Sequence, residues 1–200
     1  THVMQLAALQ VPMVRANPIL GSRVNVTGTT NIFEACARAN VKHLAYASSI
    51  AVYGPPELYE QSVLPHDAPM LPHTLYGVFK VANEGTADIY WREHGISSAN
   101  LRPYTVYGVG RDQGLTSEPT KAMFAVAKGE DYHISFGGKM QFHLASDVAQ
   151  QFIHVAETPG EGALGFNLGT LPIEVQAVAD IINSIVPDSK VTVGDTKLTF

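Results

Sequence analysis

Tyr76 and Lys80 stand four residues apart in Tyr76-Gly77-Val78-Phe79-Lys80. On a helix that spacing puts a phenol and an ammonium on one face. A free phenol ionises near pH ~10 and is a poor base at neutral pH. A cation beside it favours the phenolate and brings it toward the range of a general acid/base. The same spacing also suits a packed ring and a solvated amine, so the pair takes its meaning from its surroundings. Ser49 can hold a substrate hydroxyl or carbonyl next to Tyr76. Asn25 falls mid-helix, where its propensity is poor. There it can bind a backbone group or water and extend a proton relay, or face solvent.

The elements that must position these groups follow from periodicity. Residues 2–7 (HVMQLA) predict a buried strand, and a loop follows with Pro12 and Asn17-Pro18. Leu20, Val24, Thr27, Ile32, Ala35 and Cys36 recur at helical spacing, predicting a helix from Pro18 to about Asn40. Residues 43–49 predict a strand, the proline-rich stretch 50–72 a loop, 73–94 a long helix stopped by Gly95, and 98–106 a strand. Beyond lie a loop with Gly108, Gly110 and Gly114, a helix over 118–128 and a strand over 132–136. A helix from Ser146-Asp147 to about Glu157, a strand over 165–168, a helix over 173–185 and a strand near 190–194 complete the chain.

Strands alternating with helices imply βαβ units and a parallel sheet, whose ligands sit beyond the carboxyl ends of the strands. Those ends are Ala7 to Gln10, Ser48-Ser49 and Tyr104-Thr105.

Composition narrows the classes. An apolar fraction of 46% with 16% charged residues fits a compact domain. The net charge of −5, with no Lys/Arg cluster, argues against nucleic acid. One cysteine, Cys36, provides neither a disulfide nor a thiolate metal site, and its helical neighbours predict a buried apolar role. The histidines form no HExxH-type pair, and no metal is expected. No apolar run approaches the roughly 18 residues that a membrane span needs.

In order, the motifs LAAL (6–9), VNVTGTTN (24–31), YASSIAVYG (46–54), YGVFK (76–80), LRPYTVYG (101–108) and SDVA (146–149) resemble the extended short-chain dehydrogenase/reductase family, in its NAD-dependent epimerase/dehydratase branch. The likeness covers most of the chain and fades after about residue 160. Around Ser49 it is similar to UDP-galactose 4-epimerase-like members. The resemblance implies a Rossmann-like, doubly wound parallel α/β sheet, with NAD as cofactor and NADP left open. A hydride would move to or from a secondary alcohol or ketone of a sugar-like substrate, as isomerase or oxidoreductase chemistry in carbohydrate metabolism. It implies Tyr76, Lys80, Ser49 and Asn25 as the catalytic set. Leu6, Ala7, Ala8, Leu9 and Gln10 would line the cofactor, joined by Asn25, Tyr76, Lys80, Pro103, Tyr104 and Thr105. Ser49, Ile50 and Arg111 would meet substrate. Residues 1–108 would be the C-terminal part of the dinucleotide-binding domain. Residues 109–200 would be mostly substrate-binding, with segments returning to the sheet. A cytoplasmic protein is expected, with a homodimer through the helices at 18–40 and 73–94.

Departures from the pattern carry their own expectations. The chain begins Thr1-His2-Val3-Met4 and enters a strand at once, so it reads as an internal piece. The GxGxxG fingerprint is absent; Gly108 to Gly114 has the wrong spacing and follows a late strand. Two βα units, roughly 60 residues, would have to precede the first strand. Without them that strand is a sheet edge lacking a partner. Ile50 and Ala51 stand where dehydratases and decarboxylases of this branch carry an acid, which turns the expectation to epimerases and simple dehydrogenases. Met140-Gln141-Phe142 replaces the Arg-Asp-aromatic segment whose arginine grips a nucleotide-sugar diphosphate. Lys139 or Arg111 would have to substitute, or the substrate is a free sugar, sugar acid or lactone. Arg111-Asp112 also fits a local surface ion pair. The rival reading is a catalytically inert nicotinamide-binding or interaction protein of the same fold.

Overall fold

The structure, a computed structural model, describes residues 2–198. In chain order the elements are β1 (Met4–Gln5), α1 (Val11–Ala16), α2 (Pro18–Ser22), a π-helical turn (Arg23–Thr27), α3 (Gly28–Arg38), β2 (His43–Ala47), α4 (Leu75–His94) and β3 (Ser97–Arg102). They continue with β4 (Thr105–Tyr107), α5 (Glu118–Ala127), β5 (Tyr132–Gly137), β6 (Lys139–Met140), β7 (Phe142–Leu144) and α6 (Ala145–Glu157). The last are β8 (Ala163–Asn167), β9 (Ile173–Glu174), α7 (Val175–Ile185) and β10 (Val191–Lys197). The fold is α/β and Rossmann-like, as the alternation of strands and helices implies.

The described residues divide into two compact units, one of residues 2–103 with Ala149–Leu168, the other of Tyr104–Val148 with residues 169–198. The first unit holds a parallel sheet in the order β1-β2-β3-β8. All six residues of β3 are buried, although four of them are polar or charged. One face of β2 and β3 presents Leu44, Tyr46, Ser98, Asn100 and Arg102, since alternate residues share a face. Phe33 and Cys36 from α3, Ala87 and Tyr90 from α4, and Leu44, Tyr46 and Ile96 form a continuous core. Cys36 is thus the buried apolar residue its setting implies.

In the second unit β5 and β10 pair in parallel, and α5 and α7 pack on them through Ala122, Val126, Val175, Val178, Ala179 and Ile182. β4 pairs with β7 in parallel and β6 with β9 antiparallel. Among the described residues no helix is long and apolar enough to cross a membrane.

Several boundaries differ from expectation for physical reasons. The strand expected over 98–106 breaks at Pro103, which has no N–H for the ladder; β3 ends at Arg102 and β4 takes a different partner. The loop expected after the first strand, with Pro12 and Asn17-Pro18, contains α1, because Pro12 occupies the first turn of a helix, where a missing N–H costs nothing. Ile173 and Glu174 pair with Met140 and Lys139 before the helix begins at Val175. The buried strand expected over 2–7 shortens to Met4 and Gln5, and neither is buried, because β1 lies at the edge of the sheet and pairs on one side with β2.

Candidate active site

α4 is built to hold its first turns rigidly. Thr74 caps it, accepting the Gly77 N–H at 3.0 Å, and Gly95 closes it in the left-handed region at φ 61°. The buried face carries Tyr76, Lys80, Asn83, Glu84, Ala87 and Tyr90. Gly77 lies so close to the Ile50–Val52 turn that a Cβ there would sit 2.1 Å from the Ala51 carbonyl oxygen. Only glycine permits that approach, and it brings the Tyr76 ring against Ala51 and Val14, with Leu9, Val11 and Phe79 around them.

Lys80 is 3% exposed. Its Nζ lies 5.5 Å from the Tyr76 ring centroid and donates to the Ala47 carbonyl at 2.6 Å, at the carboxyl end of β2. Burial brings its pKa down to about 8, and the charge of Glu84 opposes that fall. Just past β2, Ser49 is extended (φ −166°, ψ 154°), and its Oγ accepts from the Ala51 N–H at 3.2 Å. The serine's own O–H keeps its hydrogen to donate. Ile50 is half-buried beside it, its N–H donating to the Pro103 carbonyl at 3.3 Å.

Asn25 is fully buried, which excludes the solvent-facing alternative. It sits in the π turn, and its side chain grips the backbone of Leu9 twice. Oδ1 accepts the Leu9 N–H at 2.7 Å and Nδ2 donates to the Leu9 carbonyl at 2.9 Å. The wider turn alters which carbonyls are used along the helix. Thr29 Oγ1 donates to the Asn25 carbonyl at 2.8 Å and Thr30 Oγ1 to that of Val26 at 3.1 Å. Leu6 and Ala7 are exposed and Ala8, Leu9 and Gln10 half-buried, so the segment after β1 presents a surface whose course the Asn25 clamp sets.

Tyr104, Thr105 and Arg111 belong to the second unit. Thr105 is buried in β4, its N–H donating to the Gln141 carbonyl at 3.2 Å, and burial raises the Tyr104 phenol. Arg111 stands in a turn, its N–H donating to the Gly108 carbonyl at 3.1 Å and its guanidinium folded over Gly114. Met140 is buried and Lys139 exposed.

In the first unit, motif spacing did not single out two charged residues, Glu84 and Arg102. Glu84 accepts from Ser48 Oγ at 2.5 Å, from Arg102 Nε at 2.9 Å and from Arg102 Nη2 at 2.5 Å. Arg102 Nη1 lies 2.7 Å from both the Tyr53 hydroxyl and the His66 carbonyl, and 3.1 Å from Asn167 Oδ1. The signal for Glu84 was present: it continues the four-residue spacing of Tyr76 and Lys80.

A model of the NAD dependent epimerase/dehydratase family matches residues 1–169. The chain belongs to that family. It is 35% identical over 144 residues to an uncharacterized 37.6 kDa protein of Escherichia coli O111:H-, across 70% of this chain and 42% of that relative. It is 28% identical over 195 residues to an uncharacterized epimerase/dehydratase of Staphylococcus aureus strain MRSA252, across 94% of this chain and 60% of that one. The chain therefore spans 42% to 60% of the length of these two relatives. Among solved structures, a partial consensus L-threonine 3-dehydrogenase superposes with a TM-score of 0.86 at 21% identity, over 97% of this chain and 65% of its own, which shows the shared fold. MoeE5 in complex with UDP-glucose and NAD superposes at 0.84 with 27% identity, over 99% of this chain and 67% of its own.

Proposed function

We propose that this chain supplies the proton-transfer half of an NAD-dependent epimerase or oxidoreductase acting on a secondary alcohol or ketone of a sugar-like substrate. The observation that carries the reading is the buried Lys80 ammonium, 5.5 Å from the Tyr76 ring at the end of β2. A charge is not buried at that depth without cost, and its use is to stabilise the Tyr76 phenolate.

The residues here suit a nicotinamide ribose. Lys80 spends one N–H on Ala47 and has two more for ribose hydroxyls. The surface from Leu6 to Gln10 lies after the first strand of a parallel sheet, where such ligands bind. Pro103, Tyr104 and Thr105 are proposed to complete the nicotinamide side. Bound NAD supplies the hydride acceptor, and in reduced form the donor. Tyr76 Oη takes the proton from the substrate hydroxyl, or returns it. Ser49 Oγ–H donates to the same substrate oxygen and holds it against Tyr76. Asn25 keeps Leu9 and its neighbours in place. Ile50 and Ala51 offer no second base, which disfavours dehydration. Residues 109–200 are proposed to form most of the substrate side.

MoeE5, a neighbour at 27% identity, is a structure with UDP-glucose, which supports a sugar substrate. The buried Met140 offers no fork for a diphosphate, so we propose a substrate without a nucleotide unless Lys139 or Arg111 supplies the grip. The exposed Leu75, Val78 and Ile89 on α4 support a homodimer.

The test uses the full-length protein with NAD and a panel of sugars, sugar acids and UDP-sugars. Tyr76→Phe should lower turnover by roughly 10²–10⁴-fold with the fold intact; unchanged turnover would sink the acid/base role and favour an inert NAD-binding protein. Net NADH release marks a dehydrogenase, and interconversion without it an epimerase. UDP alone should leave the melting temperature unchanged; a clear rise restores a nucleotide-sugar substrate.

A further inference from the structure

The mechanism above leaves the buried Ser48–Glu84–Arg102 cluster of the first unit without a task. Along α4, Tyr76, Lys80 and Glu84 follow one another at single-turn spacing, so phenol, ammonium and carboxylate share one buried face. The Glu84–Arg102 pair is almost wholly desolvated, with side chains 7% and 4% exposed. Ion pairs this deep add little stability over apolar residues of the same shape, so stability alone gives no reason for one here.

Its connections give a reason. Ser48 and Ser49 are consecutive residues at the end of β2. The Ser48 N–H continues the ladder, donating to the Leu101 carbonyl at 2.9 Å, and Ser49 is extended. Successive side chains of extended backbone leave on opposite faces. The bond from Ser48 Oγ to Glu84 pins one face and thereby sets the direction of the Ser49 hydroxyl. Arg102 holds the carboxylate from the other side with two donors, so the Glu84 rotamer is fixed.

Resting on the acid/base reading above, we infer that Glu84, locked by Arg102, is a positioning residue for proton transfer: through Ser48 it aims Ser49, and on the same buried face of α4 it sets a carboxylate one helical turn from Lys80. The groups around Lys80 are Tyr76 and Glu84 on α4 and the Ala47 carbonyl on β2; Arg102 on β3 reaches it through Glu84. Glu84 opposes the fall that burial imposes on Lys80.

The experiment compares wild type, Glu84→Gln, Ser48→Ala and Tyr76→Phe in the full-length protein. Lys80 is titrated by NMR of labelled lysine side chains, assigned with Lys80→Met. Turnover is read with the panel sugar that the wild type converts. In Glu84→Gln the Lys80 midpoint should fall by about one pH unit, and the alkaline limb of kcat should move with it. Its kcat should drop about tenfold. Ser48→Ala keeps the ion pair and should lower kcat severalfold with KM little changed. Wild-type titration and kcat in both folded variants overturn the inference, even where the melting temperature falls. Should Glu84→Gln not fold, Ser48→Ala decides. Retained turnover in Tyr76→Phe overturns the acid/base reading and this inference with it. Abolished turnover there, with the other two variants behaving as wild type, overturns this inference alone.

Discussion

Lys80 links stability to chemistry at the scale of one residue. Its folded value of about 8 lies below the ordinary 10.5, because burial disfavours the charged form. Between those values the unfolded chain binds more protons than the folded one, so this group's contribution to stability rises with pH across that window. Below it, the folded state carries the full cost of a buried ammonium. Wild type should therefore gain stability relative to Lys80→Met as pH rises from about 8 to about 10, by on the order of 2 kcal/mol, in urea unfolding curves. A difference independent of pH would mean that the amine is not desolvated. Asn25 makes the complementary case with uncharged groups. Its amide satisfies both backbone groups of Leu9. Asn25→Ala leaves them unpaired and should cost about 2–4 kcal/mol. Asn25→Asp sets a carboxylate against the Leu9 carbonyl and should not rescue it. Because the amide acts on the segment after β1, NAD affinity should fall in both variants, measured by calorimetry. A loss of kcat with NAD affinity intact would point to a relay instead.

At the scale of elements, the site depends on how closely α4 approaches the Ile50–Val52 turn. Gly77→Ala would drive a methyl into the Ala51 carbonyl at 2.1 Å and against Pro72 Cβ at 2.9 Å. Both neighbours are backbone or ring atoms that cannot rotate away. The variant should lose about 2–4 kcal/mol although alanine is the better helix former. Turnover should fall further than stability, since the Tyr76 ring moves with the first turn. An unchanged melting temperature in Gly77→Ala would contradict the packing. α4 was legible because the four-residue spacing of Tyr76 and Lys80 and the stop at Gly95 are local signals; its cap at Thr74 was not singled out, and the helix begins at Leu75 rather than His73. α3 was legible for the same reason: Asn40, at φ 54°, accepts the left-handed conformation that follows its last turns. The π turn was not legible, because residue propensities carry no signal for one extra residue per turn. Nor were β6, β7 and β9, whose short pairings are set by partners distant in sequence; Thr105 and Val106 of β4 fell within the strand expected over 98–106, but its separate pairing with β7 was not legible. Tyr76 and Lys80 could be read together because four residues separate them. Ser48, Glu84 and Arg102 could not, because 36 and 18 residues separate the bonded pairs.

At the scale of the whole molecule, Arg102 is where the first unit is tied together. Its guanidinium reaches Glu84 on α4, Tyr53 past the Ile50–Val52 turn, the His66 carbonyl in the segment before α4, and Asn167 at the end of β8. Asn167 extends the tie, donating through Nδ2 to the Leu64 and Pro65 carbonyls at 3.1 and 3.2 Å, and through its backbone N–H to His66 Nδ1 at 3.0 Å. Strand ends, a helix and a long irregular segment thus converge on one buried cation. Two costs then separate. Removing Arg102 alone leaves the Glu84 carboxylate buried without its partner, and Arg102→Met should cost about 3–5 kcal/mol. Removing both charges, as in Glu84→Leu with Arg102→Met, takes away the uncompensated charge and should recover a large part of that loss. What the double variant does not recover is the tie to Tyr53, His66 and Asn167. Segment 53–69 should therefore stay more open than in wild type, seen as faster amide exchange there while β2 and β3 keep their protection. A double variant as unstable as the single one would show that the ties of Arg102 to the irregular segment, rather than its pairing with Glu84, dominate its role in the fold.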